Sequence, residues 1–170
     1  SDVELSDEAF AHRPREQGRA PGPVTLISVG TLAQLYKAQD VLISAVAVCV
    51  RKGLDLRLVL IGDGQFRTQL ETQASALGLS GRVRFAGELP SGSSVRAELD
   101  RAHLFVLPSR SEGLPRALIE AMACGLPCIG STVGGIPELL NSQDLVPPND
   151  VESLADKIAQ VVTDSDRMTQ

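Results

Sequence analysis

Aromatic side chains are scarce: the chain has no tryptophan, one tyrosine and four phenylalanines. A core built with so few rings must be aliphatic and rich in alanine and glycine, as in packed α/β layers. Hydrophobic residues still make up 43% of the 170, enough for one domain to bury a real core. Excess positive charge is missing too. The net charge is −5, which repels phosphate backbones at long range and argues against nucleic acid as a partner. No apolar run reaches the ~18 residues a membrane span requires. The first twenty residues are polar and mixed in charge rather than a leader pattern. Cysteines are few and odd in number: Cys49, Cys124 and Cys128. All three have apolar neighbours and are expected to be buried free thiols, which suits a cytoplasmic setting. Gly125-Leu126-Pro127 separates the last two and breaks any shared helix. Neither His12 nor His103 has a partner at metal-ligand spacing, so no metal site is expected.

What is present is a regular alternation. Residues 1–22 carry Pro14, Gly18, Pro21 and Gly22 and read as a linker. From residue 23 to 170 a single domain is expected. Apolar runs at Val24 to Val29, Leu56 to Ile61, Arg82 to Phe85, His103 to Leu107, Pro127 to Gly130 and Asp144 to Val146 predict strands. Between them, helices are predicted over Asp40 to Lys52, Phe66 to Leu77, Ser93 to Arg101 and Pro115 to Cys124, with a helical turn at Gly135 to Leu140. Gly53, Gly78 and Gly125 stop the first, second and fourth. Asp150 is placed to cap a last helix, Val151 to Val162. The strands are continuously apolar, as in a parallel sheet covered on both faces. The expected fold is therefore a doubly wound, mostly parallel, Rossmann-like α/β domain. Ligands in such sheets bind at the carboxyl ends of the strands. The loops that matter follow Val29, Ile61, Phe85, Leu107 and Ile129.

The loop after Leu107 is the richest in chemistry. Glu112 lies in it, and Glu120 lies inside the following helix with seven residues between them. On a helical wheel Arg116 and Glu120 share a polar strip among Ala117, Leu118, Ile119, Ala121 and Met122. That strip reads either as a solvated i, i+4 ion pair, about 0.2–0.5 kcal/mol, or as the edge of a cleft. Arginine preceding glutamate is the weaker order for such a pair, which favours the cleft. Ser111-Glu112-Gly113-Leu114-Pro115 brings backbone N–H groups to a helix N-terminus, a setting that suits phosphate. Gly62-Asp63-Gly64-Gln65-Phe66-Arg67 matches a dinucleotide fingerprint only in part and lacks its third glycine, which argues against NAD.

The segment from Pro108 to Pro127 resembles the E-x7-E motif of retaining glycosyltransferases of family 4, one half of the GT-B fold. The resemblance extends across the chain in order: Val29-Gly30-Thr31-Leu32 with Lys37, Gly62-Asp63-Gly64 before Leu70-Glu71, Val83 to Gly87, Leu107-Pro108-Ser109 with Glu112-Gly113, Glu120 to Pro127, Gly134 to Glu138, and Leu145-Val146-Pro147. Val3 to Phe10 is similar to the family's inter-domain linker.

The resemblance implies a donor-binding domain that holds a nucleotide-diphosphate sugar, such as a UDP- or GDP-sugar, without a further cofactor. Glu120 would bind the ribose hydroxyls. Glu112 would lie by the transferred sugar, with Gly113, Leu114, Pro115 and Arg116 lining sugar and diphosphate. Lys37 would neutralise the leaving diphosphate, and Glu112 and Lys37 are the candidate catalytic residues. Gly30 and Thr31 would line the phosphate loop, and Arg84 and Leu89 would flank the loop that receives the base, largely through backbone contacts. The family usually has arginine at the position of Thr31 and glycine at that of Ala38. The acceptor would be held by an N-terminal domain outside this chain, leaving the isolated domain inactive, and any membrane contact would use that other domain. Two other readings stand beside this one: a non-catalytic nucleotide-sugar-binding or regulatory module, favoured by Thr31, and a GT-B epimerase acting on UDP-sugars, whose members lack the Glu112 to Glu120 arrangement.

Overall fold

The computed structural model describes residues 22–90 and 92–168. Residues 1–21, which hold most of the expected linker and His12, lie outside them. Six strands form one sheet: β1 (Val24–Val29), β2 (Leu56–Ile61), β3 (Val83–Gly87), β4 (Leu104–Leu107), β5 (Cys128–Ser131) and β6 (Leu145–Val146). Their order is β3-β2-β1-β4-β5-β6, and every pairing between them is parallel. The helices are α1 (Gln39–Arg51), α2 (Arg67–Ala76), α3 (Gly92–Arg101), α4 (Arg116–Ala123), α5 (Ile136–Leu139), α6 (Val151–Val162) and α7 (Ser165–Met168). The chain crosses from β1 outward through β2 and β3, then returns to add β4 beside β1. That reversal creates a topological switch point between β1 and β4.

The sheet is covered on both faces, as its continuously apolar strands require. One face packs Leu26, Leu58, Leu60, Leu104 and Val106 under Leu42, Val46, Leu154 and Ile158 of α1 and α6. The other packs Ile27, Val59, Phe105 and Leu107 under Leu99, Leu118 and Ile136. Alternate residues of each strand thus enter opposite cores. Burying one such aliphatic side chain stabilises by about 1.5–3 kcal/mol. Asp150 caps α6, its Oδ1 accepting from the Ser153 amide at 2.9 Å.

Helix α4 differs from expectation. It has eight residues and begins at Arg116, with Pro115 as the flanking residue. Met122 is 39% exposed, so the exposed side is broader than a narrow polar strip. No disulfide links the three cysteines, as expected, but only Cys49 and Cys128 are buried. The Cys49 thiol donates to the Ala155 carbonyl at 3.3 Å. Burial pushes its pKa up to about 11.

Candidate functional site

The loops that follow β1, β2 and β4 meet at the carboxyl edge of the sheet. Two of them are stitched backbone to backbone. Gly30 N–H donates to the Ile61 carbonyl and Leu32 N–H to the Asp63 carbonyl, both at 2.9 Å. The approach is so close that a Cβ on Gly62, whose φ is +135°, would lie 1.9 Å from the Gly30 oxygen. Only glycine fits there. Thr31 sits at the junction. Its hydroxyl accepts from the Ala33 amide at 3.0 Å and donates to the Asp63 carbonyl at 3.4 Å. The side chain therefore organises its own turn.

Lys37 and Glu112 are 75 residues apart in sequence, yet Lys37 Nζ lies 2.6 Å from Glu112 Oε2. The Glu112 side chain is 2% exposed and that of Lys37 21%. Ser109 Oγ donates to the same carboxylate oxygen at 2.7 Å. The lysine stem runs over Gly30, where a Cβ would meet Lys37 Cγ at 2.7 Å. Lys37 just precedes the N-terminus of α1, where a cation is unfavourable unless an anion stands near. The Glu112 carboxylate is that anion.

The loop carrying Glu112 is braced from behind. Ser131 Oγ donates to the Ser109 carbonyl at 2.6 Å, and Gly135 N–H donates to the Gly113 carbonyl at 3.2 Å. A Cβ on Gly134, which has φ +52°, would lie 2.1 Å from the Glu112 oxygen. On its outer side the same loop is open, since a Cβ on Gly113 would meet nothing within 4 Å. Leu114 beside it is 64% exposed, while Pro115 is buried.

Glu120 is exposed on α4. Among the described residues no ion pair or hydrogen bond engages its carboxylate or the Arg116 guanidinium. The i, i+4 pair that the sequence allows does not form.

Beyond the junction lies a cleft of about 260 Å³ lined by Val29, Gly30, Thr31, Ile61, Gly62, Asp63, Glu88, Leu89 and Val95. Gly30 and Thr31 follow the carboxyl end of β1, and Leu89 that of β3. Arg84 is not in this lining. Its guanidinium donates to Glu98 Oε1 at 2.5 Å. Burial alone would raise the Glu98 carboxyl, but Arg84 and Arg101 outweigh it and hold it below the usual carboxylate range. The Arg84 side chain is thus tied to Glu98 of α3. His103 is also structural: its Nδ1 accepts from the Thr25 amide at 2.9 Å, at the amino ends of the strands. Among the described residues no group of three or more histidine, cysteine, aspartate or glutamate side chains could hold a metal ion. No helix there is long and apolar enough to cross a membrane.

Sequence reasoning missed Ser109 and Arg110 as parts of this junction. Both stood inside the motif, but nothing in a linear reading says which backbone a loop arginine will reach.

Comparison with known proteins gives a consistent result. Residues 10–170 match the model of the glycosyl transferases group 1 family. The chain is 36% identical over 161 residues to the putative colanic acid biosynthesis glycosyltransferase WcaL of Salmonella typhimurium, covering 89% of this chain and 38% of that protein. It is 35% identical over 156 residues to N-acetyl-alpha-D-glucosaminyl L-malate synthase of Bacillus anthracis, covering 89% of this chain and 39% of that protein. The chain thus spans about two fifths of these relatives' length. Among solved structures, the C-terminal domain of the group 1 protein LpcC from Francisella tularensis aligns with a TM-score of 0.80 at 22% identity, over 99% of this chain and 91% of that one. HepE from Anabaena, solved in complex with UDP and glucose, aligns with a TM-score of 0.80 at 25% identity, over 99% of this chain and 47% of that one.

Proposed function

This chain belongs to the group 1 glycosyl transferases, and we propose that it is the donor-binding half of a retaining family 4 enzyme whose acceptor domain precedes it in a longer protein. The substrate is a nucleotide-diphosphate sugar, and no cofactor or metal is assigned. The observation that carries this reading is the junction of Lys37, Ser109 and Glu112 beneath the open flank of Gly113, with the unpaired Glu120 on the helix that follows.

In this reading the diphosphate lies between Lys37 and the amides beside Gly113. The bond from the anomeric carbon to the diphosphate oxygen breaks, the acceptor hydroxyl oxygen adds to the face the leaving group has left, and the hydroxyl proton passes to the departing diphosphate oxygen. Negative charge grows on the departing nucleoside diphosphate. An ammonium fixed before the reaction stabilises that charge without reorganising. Glu112 keeps Lys37 in place until the phosphate arrives and then faces the sugar. Glu120, an acceptor-only group, suits the two donors of a ribose diol. The nucleoside occupies the cleft beside Thr31 and Leu89. An enzyme of this kind acts in polysaccharide or glycoconjugate biosynthesis, in the cytoplasm. The isolated domain binds donor and transfers nothing.

Titration calorimetry with UDP, GDP and their sugars tests the reading. One of the nucleotides should bind, and Glu120→Ala should weaken it by about ten- to a hundredfold, the loss of a charge-assisted hydrogen bond. Binding that ignores Glu120 would sink it. One observation favours the rival non-catalytic module: Thr31 carries no charge and its hydroxyl is engaged within its own turn. Sugar transfer by the longer protein, abolished by Glu112→Gln, separates the two.

A further inference from the structure

Arg110 lies between Ser109 and Glu112 in the loop after β4 and is the most heavily engaged side chain at the junction. Its backbone N–H donates to the Tyr36 carbonyl at 2.7 Å. Nη1 donates to the Leu35 carbonyl at 2.6 Å and to Asp40 Oδ1 at 3.0 Å, and Nη2 to Asp40 Oδ2 at 2.9 Å. Nε donates to Asn149 Oδ1 at 2.5 Å. These contacts bracket Lys37 in sequence, with Leu35 and Tyr36 before it and Asp40 after it.

The bracketed segment is a tight turn. Ala38 N–H donates to the Leu35 carbonyl at 3.0 Å, and Ala38 holds φ 58° and ψ 39°, a left-handed conformation that alanine resists. Something outside the turn must keep it closed, and the Arg110 guanidinium grips both of its ends. It also neutralises Asp40. Without that partner, Asp40 would leave a bare carboxylate in the first turn of α1, competing for Lys37.

We infer that Arg110 is a positioning residue for the donor's diphosphate: it fixes the turn that delivers the Lys37 ammonium and neutralises Asp40 beside it. The inference rests on the donor-binding reading. The planar fork is essential, because a lysine cannot grip a carboxylate in two places while also meeting a carbonyl and an amide oxygen.

The test separates phosphate recognition from general stability. The ratio of diphosphate to nucleoside affinity is measured by calorimetry, with UDP against uridine and GDP against guanosine. Arg110→Lys should lower that ratio by about tenfold, the worth of one charge-assisted contact. Nucleoside affinity should stay at the wild-type level. In a Lys37→Met background Arg110→Lys should leave the ratio unchanged, because it acts through that ammonium. An unchanged ratio in the single variant, an equal loss of diphosphate and nucleoside, or a full effect without Lys37 each overturns the inference while leaving donor binding intact. If the wild-type chain binds no nucleotide, the donor reading itself falls and takes this inference with it. Should Arg110→Lys fail to fold by its far-UV spectrum, Asn149→Gly carries the test. It removes only the Nε contact, and glycine accepts the φ of 59° found there. A roughly two- to fivefold drop in the ratio is then expected, and no drop contradicts the inference.

Discussion

Replacing Lys37 with methionine should destabilise the domain by an amount that its partner decides. The methionine keeps the apolar stem over Gly30 and removes only the ammonium. Glu112, with a side chain 2% exposed, then keeps a buried carboxylate with one neutral donor, Ser109 Oγ at 2.7 Å. Breaking a buried pair from one side costs about 3–5 kcal/mol. Here Lys37 is 21% exposed, so water reaches the vacated position and offsets part of the loss. A cost of about 2–3 kcal/mol follows, which a domain of ordinary stability, ~5–15 kcal/mol, survives. Adding Glu112→Gln removes the stranded charge, and its amide oxygen still accepts from Ser109. The double variant should recover to within about 1 kcal/mol of wild type. Urea unfolding followed by far-UV circular dichroism measures both, with the midpoint shifting and the slope constant. The reasoning is refuted if Lys37→Met lies within about 0.5 kcal/mol of wild type, or if Glu112→Gln brings no recovery in its background.

Two glycines in the same neighbourhood should respond oppositely. Gly134→Ala forces a Cβ to 2.1 Å from the Glu112 carbonyl oxygen at φ +52°, so it should lower stability by roughly 2–3 kcal/mol in the same unfolding assay. Gly113→Ala meets nothing within 4 Å and should leave stability within about 0.5 kcal/mol, while calorimetry shows weakened nucleoside diphosphate binding. Asp150 gives a pH-dependent prediction. Hydrogen bonds from the Ser153 amide and hydroxyl hold its carboxyl below the usual aspartate range. A depressed folded-state value stabilises the fold above the unfolded pKa, and the contribution disappears as pH falls through the folded value. Melting temperatures of wild type and Asp150→Ala should therefore differ at neutral pH and converge on acidification. A constant gap would show that the carboxylate's charge plays no part in the cap.

The legibility of this chain followed local physics. Helix α6 and strands β1 and β2 could be read to the residue, because continuous apolar runs end abruptly at Pro23, Gly62 and the Asp150 cap. Strands β3 and β5 begin one residue later and end one or two residues later than their apolar runs, since Gly87 pairs with Ile61 of β2 and Ser131 with Val146 of β6. Helix α7 is a single polar turn with no apolar period to announce it. At the site, the line of chain places Glu112 before α4 and Glu120 within it. It does not reveal that Arg116 leaves Glu120 unpaired, or that Lys37 reaches across 75 residues to Glu112. Those outcomes depend on side-chain rotamers and on loops brought together by the β1–β4 crossover. Arg84 shows the same limit, since nothing in the line of chain announces its pairing with Glu98, 14 residues on.

Backbone amide shift mapping with UDP and with GDP tests most directly where the donor sits. With the nucleotide that binds, the amides of Gly30, Thr31, Gly113, Leu114, Arg116 and Glu120 should move together along one saturation curve, and those of Lys157 and Gln160 on α6 should stay still. Shifts confined to the groove between β6 and α6, or none with either nucleotide, would contradict a phosphate seat between Lys37 and Gly113.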